Sequence, residues 1–294
     1  MPLIYDGENC MLDYDLHCHS TVSDGTLTPT ELVNRAAARG VKVLALTDHD
    51  DTDGLDEARA VAARFGMAFI NGVEISVTWR KHTLHIVGLG IDPDYPPLKE
   101  GLQSVRSGRG ERARKMADEL AKAGIGGVLQ GALKFAGNPT MIGRAHFARY
   151  LVEAGHCKDM KSVFNRYLVT GKPGYVAHQW ATLADALSWI RGSGGVPVLA
   201  HPGRYMTGKN SMGKKTLQEL LAEFVHLGGQ ALEVVTGSHT PEQYVEFARY
   251  ADQFNLAASC GSDFHGPGES YRDMGHLPDL PLICRPVWQS FSLH

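Results

Sequence analysis

The sequence predicts an α/β barrel carrying an inserted helical subdomain, and three observations lead there. Seven short apolar runs each end in side chains that bind hard or borderline metal ions: in order His17 and His19, Asp48 and His49, Glu74, His85, His201, His239, and Asp263 with His265. Strands of a β/α barrel deliver the side chains at their carboxyl ends to one rim, so polar endings in series predict a single polynuclear metal site. The 294 residues, 43% of them hydrophobic, suit one barrel with an insertion better than two ordinary domains. The strand rhythm lapses between Pro93 and about His178, where an Arg- and Ala-rich helical stretch intervenes. The expected division is therefore a barrel over 1–95 and 179–294, with a helical subdomain over 96–178 lying across its mouth.

Asp13 to His19 alternates, with Leu16 and Cys18 on one side and Asp15, His17 and His19 on the other, so both histidines face one way. Thr28-Pro29-Thr30-Glu31 reads as a capping box with proline at the first helical position, and Gly40 sits where a left-handed terminator is wanted. Val41 to Thr47 is a nearly continuous apolar strand, as expected of a parallel strand covered on both faces, and it completes a βαβ unit. A helix over Leu55 to Phe65, stopped by Gly66, precedes strands over Met67 to Ile75 and Thr83 to Gly90. After the insertion, strands over Gly195 to Ala200, Gln230 to Val235 and Leu256 to Cys260 each run into a polar ending. Gly208 to Lys215 is polar and glycine-rich and reads as a mobile loop. Leu277 to Arg285, rich in proline and apolar residues, is expected to pack across the barrel.

A net charge of −3 gives no general attraction to nucleic acid or anionic membranes, so a polyanionic substrate would have to be held locally. No apolar run approaches the ~20 residues of a membrane span, and the N-terminus lacks the pattern of a signal peptide; a cytoplasmic enzyme with no stable protein partner is the simplest reading. Five cysteines without a Cys-x-x-Cys pair argue against a disulfide framework and a thiolate zinc site.

Nine positions would make a full metal cluster: His17, His19, Asp24, His49, Glu74, His85, His201, Asp263 and His265. Imidazole and carboxylate without thiolate suit manganese, iron, zinc or magnesium, and Glu74 could bridge two ions. A lone His-x-His is more often an ordinary hydrogen-bonded pair. A whole series of unpaired polar groups on apolar strands would be costly to bury without a function.

Asp15-Leu16-His17-Cys18-His19-Ser20 with Ser23-Asp24-Gly25, Leu46-Thr47-Asp48-His49-Asp50, Gly72-Val73-Glu74-Ile75, Ala200-His201-Pro202 and Gly261-Ser262-Asp263-Phe264-His265 resemble the successive motifs of the PHP (polymerase and histidinol phosphatase) superfamily. The likeness runs from Asp13 to about His265. It is strongest with the TrpH/YciV-like branch and its 3',5'-nucleoside bisphosphate phosphatases, including His82 to Gly88, Arg144 to Arg149 and Gly171 to Val176. The resemblance implies a distorted barrel of seven β/α units, similar to a TIM barrel, with up to three divalent ions, often manganese. The implied activity is removal of the 3'-phosphate from nucleoside 3',5'-bisphosphates. A 5'-3' exonuclease on short RNA or DNA oligonucleotides and a histidinol-phosphate phosphatase are the alternatives.

Clustered divalent ions lower the pKa of a shared water and neutralise phosphate oxygens, which phosphate ester hydrolysis requires, so direct in-line attack by a metal-bridging hydroxide is expected. No nucleophile elbow, Walker A loop or dinucleotide-binding glycine motif competes. Arg144 and His146 are candidates to clamp a phosphate or protonate the leaving oxygen, although Arg144 could equally lie along a helix surface. Lys172, His178 and Arg204 are candidates for a second phosphate. His239 is either a general acid or an outer partner of the cluster. The run Arg106, Arg109, Arg112, Arg114 and Lys115 could guide a short nucleic acid, but spread around a helix it reads more simply as a solvated face. A noncatalytic metal-stabilised module would show lost ligands, and a barrel amidohydrolase a lysine at a strand end. Neither mark is present.

Overall fold

The computed structural model describes residues 14–207 and 211–291. Its elements are β1 (Tyr14–Asp15), α1 (Pro29–Ala38), β2 (Val43–Leu46), α2 (Leu55–Arg64), β3 (Ala68–Trp79), β4 (His82–Leu89), α3 (Pro96–Ser107), α4 (Arg109–Lys122), α5 (Val128–Leu133), α6 (Arg144–Glu153), α7 (Met160–Val163), β5 (Ala181–Thr182), α8 (Leu183–Gly192), β6 (Val196–Leu199), α9 (Lys214–His226), β7 (Ala231–Thr236), α10 (Pro241–Gln253) and β8 (Ala257–Gly261). No helix among the described residues is long and apolar enough to cross a membrane.

Seven strands go round in the order β1-β2-β3-β4-β6-β7-β8, while β5 pairs outside this path with β3. The circle closes between β8 and β1, where Leu16 N–H donates to the Cys260 carbonyl (3.1 Å) and Asp263 N–H to the His17 carbonyl (2.8 Å). Gly261 makes that seam possible, since a Cβ there would fall 2.2 Å from the His17 Cβ. Alternate residues divide two cores, as a pleated strand requires: Val43 and Ala45 face the inside with Leu16, Ile70, Val87 and Val198, and Leu44 and Leu46 face the helices.

The predicted helix signals are in place. Thr28 accepts from the Glu31 N–H while Glu31 reaches back to the Thr28 N–H, and Gly40 has φ +86°. The C-terminal segment returns across the barrel, with Ala258 N–H donating to the Arg285 carbonyl and Trp288 stacking on Tyr14 at 4.2 Å.

Two expectations are corrected. β4 is antiparallel to both β3 and β6, so the barrel has six parallel strands and one reversed. Glu74 and His85 consequently lie within the long β3–β4 hairpin, which continues past the rim to a two-residue turn at Arg80-Lys81, and are not strand endings. Glycine and polar content made 208–215 read as one loop, but Lys214 already opens α9. Residues 208–210 of that expectation, like Asp13 of the first strand and Cys10, lie outside the described residues.

Between β4 and β5, helices α4 to α7 share a separate apolar cluster built on Met116, Leu120, Ile142, Phe147, Leu151 and Leu168. α3 differs: Leu98, Leu102 and Val105 join the barrel's outer core, because its apolar face lies against α8.

Candidate functional site

All nine candidate ligands come together at the rim, in four overlapping groups: His19, Asp24, His49 and His265; His17, His19 and Asp263; His17, Glu74 and His201; His49, Glu74 and His85. Within each group the donor atoms lie within 4.8 Å of one another. Glu74 is the hub, with Oε1 3.0 Å from His201 Nε2 and 2.8 Å from His85 Nδ1, and Oε2 2.9 Å from His49 Nδ1 and 3.3 Å from His19 Nε2. Asp24 joins from the loop before α1, 3.4 Å from His265 Nε2.

These donors fit divalent cations. His17 Nε2 and His19 Nε2 are 3.1 Å apart, and His85 Nδ1 and His201 Nε2 are 3.2 Å apart. Two ligands at right angles on bonds of ~2.1 Å would be about 3.0 Å apart. Asp24 Oδ1, Glu74 Oε2 and Asp263 Oδ1 are buried without a hydrogen-bond partner, an arrangement that is costly unless a cation answers them. Burial, with His265 alongside, drives His19 down to about 3, and burial with Arg204 does the same to His201. Their nitrogen lone pairs are therefore free at neutral pH.

The backbone is bent to build this rim. Asp50, His201 and Asp263 have φ of 49°, 28° and 55°, a left-handed region that costs non-glycine residues about 1–3 kcal/mol each. All three sit just beyond strands, where the bend turns the chain inward.

The other predicted residues divide. Arg204 reaches in and pairs with Asp263 Oδ2. His146 is buried; its Nδ1 accepts from the Gly143 N–H (3.0 Å), which puts the proton on Nε2, and Nε2 has no partner. Burial holds this imidazole near 4 despite the charge of Asp24. Arg144, on the same helix, also feels Asp24. His178 packs edge-on against Trp180 (4.3 Å) near Arg109 and Arg112, beside the nine-residue cluster and not within it. Lys172 is half-buried in the 169–180 segment.

His239 stands outside the cluster as well. A bulge in β7 between Glu233 and Val235 leaves the Val234 carbonyl facing His239 Nδ1 (3.0 Å), and His239 Nε2 accepts from the Gly203 N–H (2.9 Å). With both ring nitrogens committed to backbone and burial lowering it to about 4, His239 pins the turn that carries Arg204. It has no free nitrogen with which to act as a general acid in this arrangement. Asp48, also at a strand ending, turns away and is held by Ser20 and Ser23.

Sequence reasoning passed over Glu233. This buried carboxylate on β7 accepts from His17 Nδ1 (2.9 Å) and from the His201 N–H (2.6 Å), orienting two of the nine at once. Its only signal was a lone acid in an otherwise apolar strand. Tyr205 was also missed; its hydroxyl accepts from the His85 N–H (2.9 Å).

A PHP domain profile matches residues 15–237. The chain is 57% identical to a 3',5'-nucleoside bisphosphate phosphatase of Chromobacterium violaceum, covering 96% of this chain and 97% of that one. It is 44% identical to the 5'-3' exoribonuclease Rnm of Escherichia coli, covering 96% and 94%. A solved structure from C. violaceum, described as an amidohydrolase with bound sulfate and no metal, superposes with a TM-score of 0.91 at 56% identity, covering 95% of each chain. The convergent rim and these likenesses agree: the chain belongs to the PHP family.

Proposed function

We propose that this protein is a metal-dependent phosphomonoesterase that hydrolyses the 3'-phosphate of nucleoside 3',5'-bisphosphates, such as 3'-phosphoadenosine 5'-phosphate, to the nucleoside 5'-monophosphate and phosphate. The observation that carries the reading is the convergence of nine imidazole and carboxylate donors around Glu74, in a chain 57% identical to a relative so described. We assign His17, His19, Asp24, His49, Glu74, His85, His201, Asp263 and His265 as ligands of up to three divalent ions, manganese foremost. Bound there, such ions would supply Lewis acidity and an activated water.

The chain's own groups complete the site. Glu233 keeps the His17 proton on Nδ1 so that Nε2 faces the cluster. Arg204 is placed to hold a phosphate oxygen at the edge of Asp263. The His146 Nε2–H, neutral at pH 7, donates a hydrogen bond toward phosphate and not a proton. A cytoplasmic location accords with the free thiols of Cys18, Cys157, Cys260 and Cys284. The second reading, 5'-3' exonuclease action on short oligonucleotides, draws on the 44% identical exoribonuclease. Amide hydrolysis finds less support, as no strand ending carries the lysine usual in barrel amidohydrolases.

Phosphate release by manganese-loaded protein from 3'-phosphoadenosine 5'-phosphate, set against shortening of a 5'-phosphorylated trinucleotide, tests the assignment. Faster turnover of the bisphosphate is expected. No phosphate release from it would sink the phosphatase reading, and faster shortening of the trinucleotide would make the enzyme an exonuclease.

A further inference from the structure

The nine donors are not equally well held. In the group of His19, Asp24, His49 and His265, the side chains of Asp24, His49 and His265 are 17%, 14% and 19% exposed, against 2% or less for His17, Glu74 and His201, so this is the outermost position of the cluster. Glu74 and His85 are fixed by the β3–β4 ladder, but Asp24 and His265 stand on connecting segments, one before α1 and one after β8. Their side chains approach to 3.4 Å. Connecting segments move more readily than strands, so that spacing needs a hold of its own.

The hold comes from the insertion. Arg149 on α6 is buried, and its guanidinium grips both oxygens of Glu269: Nε donates to Oε1 (2.9 Å) and Oε2 (3.1 Å), and Nη2 donates to Oε2 (2.8 Å). Nη2 also donates to the Asp24 carbonyl (2.5 Å). Glu269 belongs to the turn that follows His265. Its N–H donates to the Gly266 carbonyl (3.2 Å), and the adjacent Ser270 Oγ accepts from the His265 N–H (2.7 Å). One guanidinium therefore bridges the segment of Asp24 and the turn that carries His265. The helix that bears it is anchored, since Phe147, Ala148 and Leu151 are buried in the insertion's own core. A backbone tie runs alongside: Thr26 N–H donates to the His265 carbonyl (2.7 Å), and Gly266 permits the approach, as a Cβ there would fall 2.0 Å from Thr26 Oγ1.

We propose that Arg149 is a positioning residue that couples the insertion to the outermost metal position, holding Asp24 and His265 at the spacing that binds a divalent ion. This rests on the metal assignment made above. An arginine suits the task because its planar fork meets a carboxylate through two bonds and spares an N–H for the carbonyl. The coupling is reciprocal by linkage: an ion that draws Asp24 and His265 together strengthens the docking of α6 by the same factor that Arg149 strengthens the ion.

The test titrates manganese into the metal-free full chain by calorimetry, with the wild type beside Arg149→Met, Glu269→Gln and the double variant. His265→Ala marks which binding step belongs to the outermost position. That step should weaken about 10-fold in Arg149→Met, the low end for a residue acting behind the ligands, with the other steps unchanged. Glu269→Gln should weaken the same step, and the double variant should be no worse than Arg149→Met, because the two side chains act as one unit. Amide hydrogen exchange in α6 should slow on addition of manganese in the wild type and not in Arg149→Met. Equal weakening of every step, weakening of a step other than the one lost in His265→Ala, or equal protection of α6 in both proteins overturns the coupling. If Arg149→Met fails to fold, Glu269→Gln, a change in a partly exposed turn, decides by the same criteria. A wild type that binds no manganese would sink the metal-centre reading and the coupling together; binding that is identical in wild type and variants sinks the coupling alone.

Discussion

The two sides of the mouth bury charge of opposite sign. On the barrel side, Asp24, Glu74 and Asp263 converge with six histidines; on the insertion side, Arg109, Arg112 and Arg144 face one another with Asp50 as the single paired acid. Each half is expensive alone, since buried like charges repel in a low dielectric. Side by side they offer cation-binding donors on one wall and anion-binding groups on the other.

The comparison is broken most directly at its hub. Glu74→Ala removes the carboxylate shared by two of the groups and is expected to lower kcat at least ~1,000-fold, with metal content per chain falling in parallel, as elemental analysis would show. Retained metal with lost activity would mean that Glu74 acts on substrate and not on ions. Exhaustive chelation should abolish phosphate release and lower Tm, and readdition of manganese should restore both; an unchanged Tm would show that the acidic wall is stable without cations. Glu233→Gln should weaken metal affinity about 10- to 100-fold while leaving the fold intact, since the neighbouring carboxylate no longer fixes His17. Unaltered metal titration would reduce Glu233 to a packing role.

His239 sharpens the contrast by pH. Its folded pKa, about 4, lies below the ordinary 6.5, so between those values the unfolded chain holds the extra proton. Stability should therefore drain as pH falls through that window, by about 3 kcal/mol in full at ~1.4 kcal/mol per pH step. Denaturation midpoints at pH 7 and 5 should converge in His239→Gln relative to wild type. An identical pH slope in the two proteins would contradict its buried, neutral state. The smallest effect is expected at the hairpin tip, where Arg80→Ala removes an exposed contact to Glu219 worth at most ~1 kcal/mol and leaves turnover unchanged.

The barrel half was far easier to read from sequence than the insertion. Apolar strands and the capping box at Thr28 are local signals, and every histidine assigned to the cluster reaches it. The reversed β4 was not legible, because alternation looks the same in either direction and only pairing partners define it. His239 misled for a related reason: it follows a strand as the others do, but the β7 bulge that turns it onto Val234 leaves no mark in composition. Of the run on α4 that reads as a solvated face, Arg114 and Lys115 are exposed, but Arg109 and Arg112 are buried, because helical spacing gives a direction around an axis and says nothing of what lies opposite. Trp180, some seventy residues later in the chain, decides that.

The β3–β4 hairpin also sets where this chain can accept new sequence. Ser76 pairs with His85, and Val77, Thr78 and Trp79 pair in turn with Leu84, Thr83 and His82 on the way to the tip. One residue added within that ladder would reverse the facing of everything between it and the turn. Residues added between Arg80 and Lys81 would only lengthen the loop. The tip is thus a natural graft point for a peptide tag or reporter, held beside α9 by a register that the graft leaves alone.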